Sequence, residues 1–301
     1  MCLLFVYKKF IPLVDYSDRD FSYTREKSLF LSKLKELILL RRFRNSIGQQ
    51  WSTWVVPILV LVTWQVLGQI GLIGQDILPT PLEVLQASIQ LSKEGVLWEN
   101  MGVSAKRALI GFIIGGSIGF ILGMVNGLSR TSEKLLDSSI QMVRTIPHLA
   151  LIPIVILWFG IGESSKLFLV ALGVAFPIYL NTFHGIKSVD KGLIEMGKVY
   201  GLQSLHLIVM VILPGALPSI LVGLRYALGI MWLSLIVAET ISADSGIGYM
   251  AMNAREFMHM DIVVVSILLY AILGKLSDSA AKFLERQWLQ WHPNYNRVKN
   301  S

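Results

Sequence analysis

Residues 108–128 read ALIGFIIGGSIGFILGMVNGL, twenty-one positions without a charge. About 20 apolar residues suffice to cross the hydrocarbon core of a bilayer as a helix. Comparable stretches occupy residues 54–73, 166–185 and 217–239. Two further candidates are less regular. Residues 136–159 are interrupted by Arg144, Pro147, His148 and Pro153, while 262–276 is short and runs on into the amphipathic SDSAAKFLERQWLQW. Charged residues make up only 16% of the chain, where soluble domains carry about a quarter. The chain is expected to be an all-α polytopic membrane protein with about six transmembrane helices.

The net charge of +7 does not point to nucleic acid, because the basic residues form no stripe beside exposed aromatics. Their distribution reports orientation instead. With the N-terminus inside, twenty Lys and Arg fall on the inner side, ten of them in residues 1–50. Only Lys93, Lys106, Arg107, Lys166 and Arg255 fall outside, and Arg144 and Arg225 lie within spans. This bias places both termini and the segment around residues 187–215 in the cytoplasm. Residues 1–50 are expected to be a basic cytoplasmic arm. Their start, MCLLFVYKKF, is charged too early for a signal peptide, and KLKELILLRRFRN could lie on the membrane face. Cys2 is the only cysteine, so no intrachain disulfide can form.

Gly111, Gly115, Gly119, Gly123 and Gly127 recur every fourth residue in the second span. They leave one helix face without side chains, and a second helix can approach closely there. The partner is either another helix of this chain or another subunit.

The segment EMGKVYGLQSLHLIVMVILPGALPSI, residues 195–220, is too organised for a plain connection. Ser188 or Asp190 can cap a helix in which Val189, Leu193, Met196 and Tyr200 form an apolar stripe, with Lys191 and Glu195 paired on another face. Gly201 permits a left-handed turn. LHLIVMVIL makes a second short helix stopped by Pro214, and Pro218 fits the first turn of the fifth span.

Glu195, Met196, Gly197, Gly201, Val211, Leu213 and Pro214 resemble the cytoplasmic-loop signature of ABC importer permeases, with Met196 where alanine is usual. ILPTPLEVL, RALIGFIIGGSIGFILG, FPIYLNTFHGI and LERQWLQW extend the resemblance over about residues 52–295. Within that family the chain is similar to the aliphatic sulfonate, taurine and nitrate group, closest to the aliphatic sulfonate permeases. The resemblance implies a type I ABC importer (MetI-like) permease fold and a bacterial inner-membrane location. It implies a homodimer, two cytoplasmic ATPase subunits binding ATP and magnesium, and an extracytoplasmic binding protein. Its arrangement along the chain would be a cytoplasmic arm (1–50), a first span with a periplasmic segment (51–100), a core (101–285) carrying the coupling loop (187–215), and a cytoplasmic tail (286–301).

On this resemblance, Val189, Leu193, Glu195, Gly197, Tyr200, Gly201, Leu213 and Pro214 would couple the chain to the ATPases. Glu195 would anchor the loop helix by charge, and Leu193 and Tyr200 would fill an apolar groove. Glu239, Gly246 and Gly248 would belong to an external gate, or else to a plain re-entrant hairpin. Arg144 and Arg225 are cations within spans. They either line an anion path or are paired structurally, and Arg144 is favoured for the path because Pro147 and Pro153 break the backbone beside it. His148 lies in the same broken span.

No G-x-x-x-x-G-K-[ST] phosphate loop occurs, so ATP hydrolysis is expected of partners, with no catalytic residue here. No cofactor is expected, and no His, Cys or Asp cluster has metal-ligand spacing. A stand-alone transporter would be expected to show paired broken helices in two halves, and the loop would then be unexplained. A membrane-embedded enzyme would need a polar constellation such as G-x-S-x-G or H-E-x-x-H, the second of which is absent. Taurine, nitrate, bicarbonate or a thiamine-precursor base remain alternative substrates.

Overall fold

The computed structural model describes residues 55–74 and 77–291, and every regular element among them is helical. The arm and the last residues of the tail lie outside this range. The chain divides into two units, 1–63 and 64–301. The described residues of the first, 55–63, are exposed and belong to α1 (Val55–Gln69). This helix is apolar but shorter than the ~20 residues a span needs. The expected first span, 54–73, is thus helical over less than its length, and the chain turns at residues 70–73.

In the second unit α2 (Pro81–Lys93) opens on a reciprocal cap. The Glu83 amide donates to Thr80 Oγ1, the Thr80 amide donates to the Glu83 carboxylate, and Pro81 takes a position where no amide hydrogen is needed. Three single helices are long and apolar enough to cross a bilayer: α3 (Val96–Leu128), α6 (Glu163–Lys187) and α11 (Met260–Trp288). A fourth crossing is the continuous run Ser204–Ile241. The fifth is broken. Here α4 (Arg130–Thr145) meets a 3-10 turn (His148–Leu151) and α5 (Ile152–Phe159) at a bend of 81°. The break has a local cause. Ile146 precedes Pro147 and is held extended at φ −72°, ψ 123°.

Helix α6 packs along α3 on one side and the Ser204–Ile241 run on the other. The glycines of α3 make the first contact possible. A Cβ added at Gly115 or Gly119 would strike the Ala171 or Ala175 backbone, and at Gly111, Gly123 or Gly127 it would strike Val170, Thr182 or Ile186. The groove is therefore filled by α6 of the same chain.

After α6 come α7 (Lys191–Val199), α8 (Ser204–Leu207), a π-helical turn (Ile208–Ile212) and α9 (Leu213–Ser242). Pro214 was expected to stop a separate loop helix and Pro218 to open a span. Instead Pro214 lies in the first turn of α9, Pro218 lies inside it, and α8 runs into α9 without a break. The wider π turn accounts for Pro214, since it shifts the carbonyl that its ring would otherwise meet one turn back. Helix α10 (Ile247–Glu256) follows, packed between α9 and α11.

Candidate functional site

Three polar or exposed constellations stand out. At the loop end, Asp190 is the N-cap of α7 and accepts the Gly192 amide at 2.8 Å. The far end closes with the Leu202 amide donating to Gly197 O and the Gly201 amide to Lys198 O, both at 3.0 Å, with Gly201 at φ +78°. This paired-bond ending needs a left-handed residue, which glycine supplies without strain. Gly197 is buried, and a Cβ there would crowd Leu207 and Leu202.

The expected stripe divides in two. Val189 precedes the helix, is buried, and packs on Gly215 beside Ile186, Leu207 and Ala216. Leu193 and Met196 are about half exposed at 47% and 51%, and Val199 and Tyr200 reach 86% and 79%. Four apolar side chains on one short helix and its C-cap thus face outward beside the exposed Glu195. No ion pair joins Lys191 to Glu195 among the described residues, contrary to expectation. Leu213 and Pro214 are half-buried where α9 begins.

In the middle of the bundle His148 Nε2 lies 3.0 Å from Ser234 Oγ, at the break of the fifth crossing. Arg144 is exposed on α4 and forms no ion pair among the described residues. Arg225 Nε donates to Asp278 at 2.5 Å, a partner that sequence reasoning did not foresee. No hydrogen bond or ion pair joins these three residues to one another.

The densest constellation is at the opposite end. Glu239 on α9 is buried, and its carboxylate accepts from Ser104 Oγ at 2.7 Å, Arg107 Nη1 at 2.9 Å, Tyr270 OH at 2.9 Å and the Gly248 amide at 3.0 Å. Gly246, at φ +110°, turns the chain against it, and a Cβ there would collide with the carboxylate. The Gly246 amide donates to Asn100 Oδ1 at 2.7 Å and the Ile247 amide to Ser104 Oγ at 2.8 Å. Arg107 extends the cluster to Glu163, which also meets Lys166 at 3.1 Å. A buried charge is tolerable only when paired and hydrogen-bonded in this way. The structure thus brings Glu239, Gly246 and Gly248 together.

Sequence reasoning missed Ser104, Arg107, Glu163, Lys166 and Tyr270. Arg107 and Lys166 were counted as outer loop charges, yet both lie buried inside helices. The available signal was a cation and a carboxylate at matching depths of neighbouring apolar stretches.

Two local patterns imitate catalytic motifs. Residues 192–199 fit the phosphate-loop pattern except for Val199 at its last position, but they are wound into α7 and offer no loop of free amides. Residues 115–119 spell G-x-S-x-G inside α3, where both outer glycines abut α6 instead of forming a strand-to-helix turn.

The family described as "Binding-protein-dependent transport system inner membrane component" matches residues 115–290. The permease protein SsuC of Escherichia coli (strain K12), named for aliphatic sulfonates transport, is 60% identical, covering 81% of this chain and 93% of its own length. Its namesake in Bacillus subtilis (strain 168) is 44% identical over 84% and 93% respectively. Among solved structures, an amino acid ABC transporter superposes with a TM-score of 0.55 at 16% identity, covering 67% of this chain and 97% of that one. The last likeness concerns the fold alone.

Proposed function

The chain belongs to the family of binding-protein-dependent transport system inner membrane components, and from that premise we propose that it carries aliphatic sulfonates inward. It is the permease subunit of an ABC transporter. The observation that carries the substrate class is the 60% identity to a permease named for aliphatic sulfonates, over 93% of that protein.

In the proposed assembly two copies of the chain pair in the membrane with both termini cytoplasmic. Two ATPase subunits hold ATP and magnesium below, and a binding protein delivers substrate from above. The outward face of α7 supports this. Leu193, Met196, Val199 and Tyr200 are too apolar to remain in water, and such a helix suits a groove on a partner. Glu195 supplies charge beside them, Gly197 seats the helix on the bundle, and Gly201 fixes its exit angle. Val189 ties the loop to α9, and through Leu213 and Pro214 a push on α7 passes into the membrane crossing. Glu239, Gly246 and Gly248 form the external gate. Arg144 and His148 are proposed to meet the anion in the path, and Arg225 joins them only if Asp278 releases it.

The test is growth of cells lacking this chain on ethanesulfonate as sole sulfur source. The wild-type chain should restore growth and ATP-dependent uptake. Leu193→Glu with Tyr200→Glu should reach the membrane, fail to retain the ATPase subunit on purification, and fail to restore growth. Unimpaired growth of the deletion strain on ethanesulfonate would overturn the substrate.

A further inference from the structure

Two cations are buried at the gate end of the bundle, but only one of their two carboxylates is. The side chains of Arg107 and Lys166 are 4% and 2% exposed and that of Glu239 is 0% exposed, whereas Glu163 is 57% exposed. Glu239 is fixed by four donors on three other elements. Glu163 is held by the two cations alone among the described residues.

We propose that Arg107 and Lys166 form an oxyanion subsite for the sulfonate group of the substrate, and that Glu163 is its internal stand-in, displaced as substrate enters. This rests on the sulfonate reading above and gives that substrate a place.

The geometry supports it in three ways. Arg107 Nε and Nη2 meet the two Glu163 oxygens at 2.8 and 2.5 Å, a two-pronged grip that a sulfonate reproduces with two of its three oxygens. Lys166 Nζ has one partner among the described residues, Glu163 Oε1, although an ammonium carries three hydrogens. A third sulfonate oxygen would therefore find a donor already aimed and unspent. Finally, charge requires a replacement. If Glu163 turns into solvent, two buried cations face the single carboxylate of Glu239, and the surplus positive charge calls for an anion. A purely structural ion cluster gains nothing by leaving one of its carboxylates in the open. Of the remaining Arg107 donors, one on Nη1 goes to Glu239 at 2.9 Å and two go to Ser245, through Nη2 to Oγ at 3.0 Å and Nη1 to the carbonyl at 2.5 Å, so the guanidinium stays oriented when Glu163 leaves. Glu163 also opens α6 three residues after Gly160, which turns the chain at φ +75°.

The experiment uses the assembled permease–ATPase complex in lipid nanodiscs, titrated calorimetrically with ethanesulfonate in the absence of binding protein. Glu163→Gln removes the competing charge and should tighten binding about tenfold. Lys166→Gln should weaken it by about the same factor, and Lys166→Arg should recover most of the loss. Unchanged or weaker binding by an intact Glu163→Gln complex overturns the proposal, as does unchanged binding by Lys166→Gln. Should Lys166→Gln fail to assemble, Glu163→Gln decides alone, because it keeps both buried cations. Parallel titrations with nitrate and inorganic sulfate separate the two readings. Tightening for those ions without tightening for ethanesulfonate keeps the anion subsite and overturns the sulfonate. Normal ethanesulfonate uptake with no effect of either variant on binding keeps the sulfonate and overturns the subsite.

Discussion

One methyl group decides whether α3 and α6 can touch at Gly115. A Cβ there would overlap the backbone of Ala171, and backbone cannot turn aside as a flexible side chain can. Gly115→Val should therefore cost about 3 kcal/mol. The measurement is the fraction of chain extracted folded and its thermal midpoint. Gly102→Ala is the control. The position lies in the same helix but faces open space, so the variant should be no less stable than wild type. The four-residue spacing of these glycines is visible in the sequence, because helix periodicity turns spacing directly into a face. Arg107, eight residues before Gly115, was not visible. In a string of letters a charge ends an apolar stretch. In the folded chain Glu163 and Glu239 lie beside it, and the helix continues outward to Val96.

Helix α4 has no buried residue, although it belongs to a crossing. It is held by polar ties. Tyr179 OH donates to Asp137 Oδ1 at 2.9 Å and accepts from Asn126 Nδ2 at 2.8 Å, Ser132 donates to Asn126, and Lys187 meets Glu133. Tyr179→Phe removes the hydroxyl at the centre of this chain. A lost hydrogen bond of about 1 kcal/mol should raise amide exchange across residues 130–145 by roughly fivefold, with α3 and α6 unchanged. Equal loosening of all three helices would mean that the hydroxyl supports the whole bundle and not α4 in particular. Elements were legible to the extent that their signals were local. The Asp190 cap and the Gly201 turn each depend on a few neighbouring residues, and both stand where the sequence suggested. Pro214 misled for the opposite reason. Whether a proline stops a helix depends on the turn before it, and the sequence does not announce a π turn.

The second unit is a helical bundle in which α3 and α6 run parallel and the Ser204–Ile241 run lies opposite to them, with an apolar finger at one end and a charge cluster at the other. Such a bundle should not move substrate alone. The purified chain in liposomes should leave ethanesulfonate inside for hours, and release at the rate of the assembled complex would remove the need for a nucleotide-driven partner. The finger and the cluster share one element, because the 38 residues of Ser204–Ile241 begin beside α7 and contain Glu239. At 1.5 Å per residue that rod is about 57 Å long. On the proposed coupling it would act as an oar in a rowlock: a swing of about 10° about its midpoint would carry handle and blade about 5 Å in opposite directions. No relay of small side-chain moves is then required. On that proposed coupling, the stroke that drives the handle would also lift Glu239 off its four donors, so unlatching on one side of the lipid would keep time with fuel burned by the proposed partner on the other.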